Sequence, residues 1–245
     1  MIPFADYHTH TRYSHGRGSI EDNVRAARAK GLQEIAITDH GPNHYFIGLK
    51  GEKAVKEARR ELDSCQEKYS DMKILLGVEA NIISPDGEID VSDTIMPYLD
   101  LILVGFHLMV KTTSLSFFYQ LNIKNRIARY KPGLNQVLRR QNTAALIKAV
   151  QRYPVKIVTH PGFHVDIDTP ALAQACRERG TSLEINCSHL KKGKSFIKAA
   201  LATGVTFAIS SDAHSPSQVG EFQEALDFIR QEEIPLERII NVRKN

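Results

Sequence analysis

Seven short apolar runs recur along this chain, at residues 4–8, 34–38, 73–78, 101–106, 155–159, 182–185 and 205–210. Helix-forming stretches lie between them. Near-continuous apolar strands joined by helical crossovers form a parallel sheet covered on both faces. Seven such units close most naturally into a TIM-like α/β barrel, in which all C-terminal strand ends share one face. The first helix has a clear start: Ser19 caps, Glu21 and Asp22 suit the first turn, and Ile20, Val24 and Ala27 form one stripe. Gly31 stops it. Further helices are expected near 51–69, 142–151, 169–179, 194–203 and 218–230. Asp86-Gly87 is a turn signal. No linker, repeat or low-complexity tract divides the 245 residues, so a single domain is expected.

What ends these runs narrows the chemistry. His8 and His10 follow the first, and residues two apart on a strand share a face. His40, Glu79, His107 and His160 follow the next ones, and Asp212 with His214 follows the last. With His15, seven of the ten histidines are used in this way. One histidine at a strand end is ordinarily a packed core residue. Six strand ends out of seven carrying imidazole or carboxylate point to a metal site. Such ligands suit zinc, iron or manganese better than magnesium or calcium.

Composition excludes several classes. At 42% hydrophobic and 24% charged the chain is an ordinary globular protein, not a disordered one. No apolar run reaches the roughly 18 residues of a membrane helix. No basic segment followed by an apolar one marks a leader. Three widely spaced cysteines, Cys65, Cys176 and Cys187, suit a reduced compartment and no disulfide framework. A cytoplasmic protein without a membrane partner is the expectation. The charge is uneven. Residues 101–165 contain ten Lys or Arg and no Asp or Glu, so against a net charge of +4 the remainder carries −6. A basic region on an acidic body suggests an anionic partner.

The motifs also carry a resemblance. Asp6-Tyr7-His8-Thr9-His10, Ile37-Thr38-Asp39-His40-Gly41-Pro42, Gly77-Val78-Glu79-Ala80-Asn81, Asp86-Gly87-Glu88-Ile89-Asp90, Gly105-Phe106-His107, Thr159-His160-Pro161-Gly162, Leu183-Glu184-Ile185-Asn186 and Ser211-Asp212-Ala213-His214 stand in one order. Together they resemble the PHP (polymerase and histidinol phosphatase) family, over nearly the whole chain. The nearest form is its short, stand-alone bacterial phosphatases of the YcdX type. The resemblance implies one PHP domain over 1–245, folded as a distorted (β/α)7 barrel. It implies three divalent ions, usually zinc, with manganese or iron as alternatives. His8, His10, Glu79 and Asp212 resemble the first ligand set. Glu79, His107 and His160 resemble the second, with Glu79 bridging, and His15, His40 and His214 the third. The implied activity is that of a metal-dependent phosphoesterase. It is read as a phosphatase hydrolysing phosphomonoesters through a hydroxide activated by the trinuclear centre, with Glu79 and Asp212 catalytic through that hydroxide. The alternatives are a histidinol-phosphatase, an amidohydrolase-like C–N hydrolase and a non-catalytic metal-stabilised scaffold. The third ligand set argues against the second, and the complete ligand pattern against the third.

One segment departs from that pattern. Residues 108–141, after the fourth strand, form a long basic insertion that contains Phe117, Phe118, Tyr119 and Tyr130. It is expected as a partly mobile lid on the catalytic face. It would recruit a small phosphorylated substrate, or stack a short oligonucleotide. Lys124, Arg126 and Arg129 are its candidate substrate residues, and Arg17 beside His15 is another. Asp6 and Asp39 are candidate acceptors for the neighbouring histidine rings. His44, His164 and His189 are candidate acids. Oligomeric state is left open.

Overall fold

The structure, a computed structural model, describes residues 1–244. After a short β1 (Ile2–Pro3), seven parallel strands pair in chain order: β2 (Ala5–Asp6), β3 (Glu34–Ile37), β4 (Lys73–Asn81), β5 (Leu101–Gly105), β6 (Val155–Val158), β7 (Ser182–Asn186) and β8 (Phe207–Ser210). A last strand, β9 (Val242–Arg243), returns to pair antiparallel with β1. Between them run α1 (Ile20–Ala29), α2 (Gly51–Lys68), α3 (Leu115–Tyr119), α4 (Asn125–Ala128), α5 (Pro132–Arg152), α6 (Thr169–Arg179), α7 (Leu190–Ala200) and α8 (Gln223–Gln231). This is the expected barrel of seven strands and alternating helices.

Local sequence accounts for most boundaries. Ser19 and Asp22 form a reciprocal capping box at α1, whose buried face is Ile20, Asn23, Val24 and Ala27. Asp168 caps α6, and Gly180 ends it in the left-handed conformation that glycine adopts without strain. Three helices depart from expectation, one of them α8, which begins at Gln223 rather than at 218. The helix expected at 142–151 begins ten residues earlier, with Pro132 in its first turn, where a missing N–H costs nothing. The helix expected at 194–203 begins at Leu190, because burial of Leu190 and Ile197 outweighs the weak propensity of Gly193.

The barrel closes without a full ladder between β2 and β8. Thr9 bridges Ala213, and the His10 N–H donates to the Ala213 carbonyl at 2.8 Å. Lower down, the fully buried Asn241 side chain fills the seam. Its Nδ2 donates to the carbonyls of Ala5 (2.8 Å) and Ile209 (2.7 Å), and its Oδ1 accepts from the Ile209 N–H at 3.0 Å. The Asp6 carboxylate reaches across the same seam, accepting from the Ser211 backbone and hydroxyl and from the Gly220 N–H. Asp6 is therefore a closure residue rather than an acceptor for a histidine ring.

Strand alternation separates two apolar layers. Ala36, Leu103, Ile157 and Ala208 form a small cluster with Ala5 and Tyr7, apart from the large core that the opposite strand faces make with the helices. Glu184 pairs in register with Ala208, and Glu79 with Leu103. Both carboxylates thus belong to the inner layer, on its C-terminal side.

The basic segment is helical, not an open loop. Its α3 and α4 are joined by one π-helical turn, Gln120–Lys124. Phe117, Leu121 and Ala128 are buried, while Leu115, Tyr119, Ile123, Ile127 and Tyr130 are exposed. Among the described residues no helix is long and apolar enough to cross a membrane, and the three cysteines are unpaired.

Candidate metal centre

Glu79 lies in β4, following the apolar run at residues 74–78, with 1% of its surface exposed. A carboxylate so deeply buried must be paired. Its Oε1 lies 2.9 Å from His160 Nε2 and 3.1 Å from His107 Nε2. Its Oε2 lies 2.9 Å from His40 Nδ1, 3.2 Å from His8 Nε2 and 3.7 Å from His10 Nε2. One oxygen therefore faces one pair of imidazoles and the other oxygen faces a second group. Asp212 joins the second group: its Oδ1 is 3.2 Å from His10 Nε2 and 3.6 Å from His8 Nε2.

His15 and His214 stand further out. Their ring centroids are 4.2 Å apart, and those of His15 and His40 are 5.0 Å apart. His10, His40 and His214 bring one ring nitrogen each within 4.8 Å of one another, as do the ligand atoms of His8, His10 and Glu79, and of His40, Glu79 and His107. Two candidate ligands, His160 (φ 28°) and Asp212 (φ 55°), sit at positive φ, where a residue with a side chain is strained. Their strand ends are bent to aim these side chains inward.

The donor set fits divalent cations. His8 Nε2 and His10 Nε2 are 3.1 Å apart, and His107 Nε2 and His160 Nε2 are 3.2 Å apart. Two ligands at tetrahedral angles on one zinc ion, each about 2.0 Å from it, stand about 3.3 Å apart. A shared proton could also hold either pair, but the other ring nitrogens of His10 and His107 are buried without a hydrogen-bond partner. The electrostatics agree. Burial opposes charge on every group here, yet His8, His107 and His40 hold Glu79 well below the usual carboxylate range. His8 and His10 do the same for Asp212. Burial lowers the pKa of His10 and brings those of His107 and His15 to about 4, which leaves these three imidazoles neutral and able to donate a lone pair. At His8 and His160 the carboxylates of Glu79 and Glu184 outweigh burial and raise the pKa.

Glu184 is the residue that sequence reasoning left without a role. Its Oε1 is 2.7 Å from His8 Nδ1, and its Oε2 accepts from the His160 backbone N–H at 2.6 Å. Asn186 then ties Glu184 to Asp212, with its Nδ2 at 3.0 and 3.1 Å from the two carboxylates. The available signal was a lone carboxylate at an inner position of an apolar strand. Asp39 behaves differently from expectation. It accepts from the Thr11 N–H and hydroxyl and from the Ser14 hydroxyl, and so holds the loop that carries His15 rather than a ring. Asp90 plays the same part for the next loop, accepting from Asn81 and from the Asn43 N–H. A Cβ on Gly41 would lie 2.3 Å from that carboxylate, so only glycine fits after His40.

The cluster opens into a mouth of about 320 Å³, lined also by His44, Phe46, Ile47, Leu108, Met109, Phe163, His164 and His189. The cationic candidates stand elsewhere. Arg17 has an exposed side chain, and its backbone N–H donates to the His214 carbonyl. Lys124 lies over the Tyr119 ring at 5.7 Å, and Arg126 is exposed. Arg129 borders a separate cavity beside the mouth.

A parallel barrel with carboxylates set among imidazoles at its C-terminal mouth defines the class of metal-dependent hydrolases built on βα loops. More particularly, the chain belongs to the PHP domain family, which it matches over residues 6–188. It is 32% identical to proteins named "Probable phosphatase YcdX" from Shigella flexneri serotype 5b and Escherichia coli O1:K1, over 99% of this chain and 91% of theirs. Among solved structures it is similar to histidinol phosphate phosphatase from Lactococcus lactis subsp. lactis, complexed with zinc, L-histidinol and phosphate. That match has a TM-score of 0.63 at 17% identity, over 95% of this chain and 94% of the other, and it shows the shared barrel. The chain is accordingly a metal-dependent phosphatase, a hydrolase of phosphoric esters.

Proposed function

We propose that this phosphatase cleaves small phosphomonoesters at a trinuclear centre in the cytoplasm. The observation that carries the reading is the division of Glu79, whose two oxygens face two separate groups of imidazoles. His8, His10, Glu79 and Asp212 would hold the first ion, and Glu79, His107 and His160 the second. His15, His40 and His214 would hold the third. Bound divalent ions bring the pKa of coordinated water toward 7 and offset charge on phosphoryl oxygens, so no serine or cysteine nucleophile is needed.

The chain's own residues prepare that chemistry. Glu79, Asp212 and Glu184 supply buried negative charge that cations offset. Glu184 accepts at His8 Nδ1, which leaves the Nε2 lone pair pointing inward. Asn186 fixes the spacing of the two carboxylates it touches. Phe46, Ile47, Leu108 and Met109 give the mouth an apolar rim that lowers the local dielectric around an entering phosphate. The three free cysteines support a reducing, cytoplasmic setting.

The test combines elemental analysis with assays of phosphomonoesters, histidinol phosphate included. Protein is chelated, then reconstituted with zinc, manganese or iron. About three ions per chain are expected from three ligand sets, with turnover lost on chelation and regained on reconstitution. Less than about one tightly bound ion, or turnover indifferent to chelation, would overturn the reading.

A further inference from the structure

A second cavity, of about 370 Å³, adjoins the mouth. Phe163 and His164 line both spaces, so these two residues are the wall between them. The wall is firmly built. Phe163 stacks on His189 with ring centroids 3.9 Å apart, and Lys192 Nζ lies 4.9 Å from the Phe163 centroid on another side. Gly162, at φ 84°, lies against the Phe196 ring, which a Cβ would meet at 2.4 Å.

The lining of this cavity is unlike that of the mouth. Two cations reach it from different elements: Arg129 directly after α4, and Lys192 in α7. The Arg129 guanidinium makes no hydrogen bond or ion pair with another described residue, its backbone N–H alone donating to the Ile127 carbonyl. Asp166 is the one carboxylate of the lining, and the Asn135 amide donates to its Oδ2 at 2.8 Å. Arg129 and Lys192 against Asp166 give the lining a net positive charge. Phe163 and Phe196 give it two aromatic surfaces. An unpaired guanidinium lining the same cavity as an ammonium is suited to a carboxylate or phosphate, which it can hold through two parallel hydrogen bonds. The metal-ligand cluster already provides for the scissile phosphate. The cations across the wall are left over from that task.

We propose that this side cavity is a specificity subsite for a second acidic group on the substrate, with the organic body crossing over Phe163. The substrate class is then a phosphomonoester that also carries a carboxylate or a further phosphate. This rests on the phosphatase reading of the metal centre.

Matched esters test it on the metal-loaded enzyme: alkyl phosphates, ω-carboxyalkyl phosphates and alkanediol bisphosphates of three to eight carbons. At low ionic strength kcat/KM should be about tenfold or more higher for an acidic member than for the plain ester of equal length, the effect of a charge-assisted hydrogen bond. Whether the carboxylate or the bisphosphate gains more identifies the group. In the Arg129→Ala, Lys192→Met double variant the ratio of acidic to plain ester should fall to about one, and in the wild type it should shrink as salt rises. A wild-type ratio near one at every length, with plain esters still cleaved, would overturn the subsite and leave the phosphatase reading standing. So would a ratio that survives in the double variant. Failure to cleave any ester would overturn both.

Discussion

Glu184 Oε1 lies 2.7 Å from His8 Nδ1, and neither side chain is exposed to solvent. This contact decides which nitrogen of His8 carries the proton, because a carboxylate there accepts from Nδ1–H and leaves the Nε2 lone pair free to bind a cation. The other oxygen of Glu184 is already engaged by the His160 N–H and Asn186.

Glu184→Gln has one acceptor oxygen for these duties and must turn its amide toward His8 or His160. Metal affinity should fall roughly ten- to a hundredfold, measured by competition with a chromophoric chelator. The folded far-UV signal should be retained. Affinity within about twofold of wild type would show that Glu184 does not orient His8.

Glu79→Gln keeps the size of the side chain and removes the charge shared by the two imidazole groups. Turnover should fall at least about a hundredfold, roughly 2.7 kcal/mol of barrier. The measurement is kcat on a phosphomonoester at saturating metal, with bound metal quantified in the same sample. Near-normal kcat in a metal-replete variant would mean that Glu79 does not bridge.

Asn241→Ala tests the seam of the barrel, away from the mouth. It removes three hydrogen bonds and leaves the Ala5 and Ile209 carbonyls and the Ile209 N–H buried without partners. A loss of about 3 kcal/mol is expected, which for a chain of this size lowers Tm by about 6–12 °C. Calorimetry showing a change below about 1 kcal/mol would mean that the strand ladder closes the barrel unaided.

The barrel and the convergence of its histidines were legible because both follow from short-range rules. Period-two alternation and helical crossovers fix the sheet, and parallel strands bring their C-terminal ends together whatever the loops do. Residues whose role depends on a distant partner were not legible. Asp6 reads as a neighbour of His8, but its partners Ser211 and Gly220 lie more than two hundred positions away. Glu184 sits inside an unremarkable strand, and only the pairing order brings it under His8. The helices of the basic segment were not legible for a different reason. Its many cations mask the apolar positions, yet Phe117, Leu121 and Ala128 bury enough surface to hold a helix.

The antiparallel pairing of β1 with β9 has a practical consequence. Ile2 lies opposite Arg243 and Pro3 opposite Val242, and the Arg243 guanidinium stacks 4.3 Å from the Phe4 ring centroid. The first and last strands thus lie side by side below the barrel, at the rim opposite the mouth. A few added residues could join them, so circular permutation is geometrically open to this fold, with new ends cut into an exposed connection. For the same reason a surface tether attached near either strand would present every molecule with its mouth toward solution.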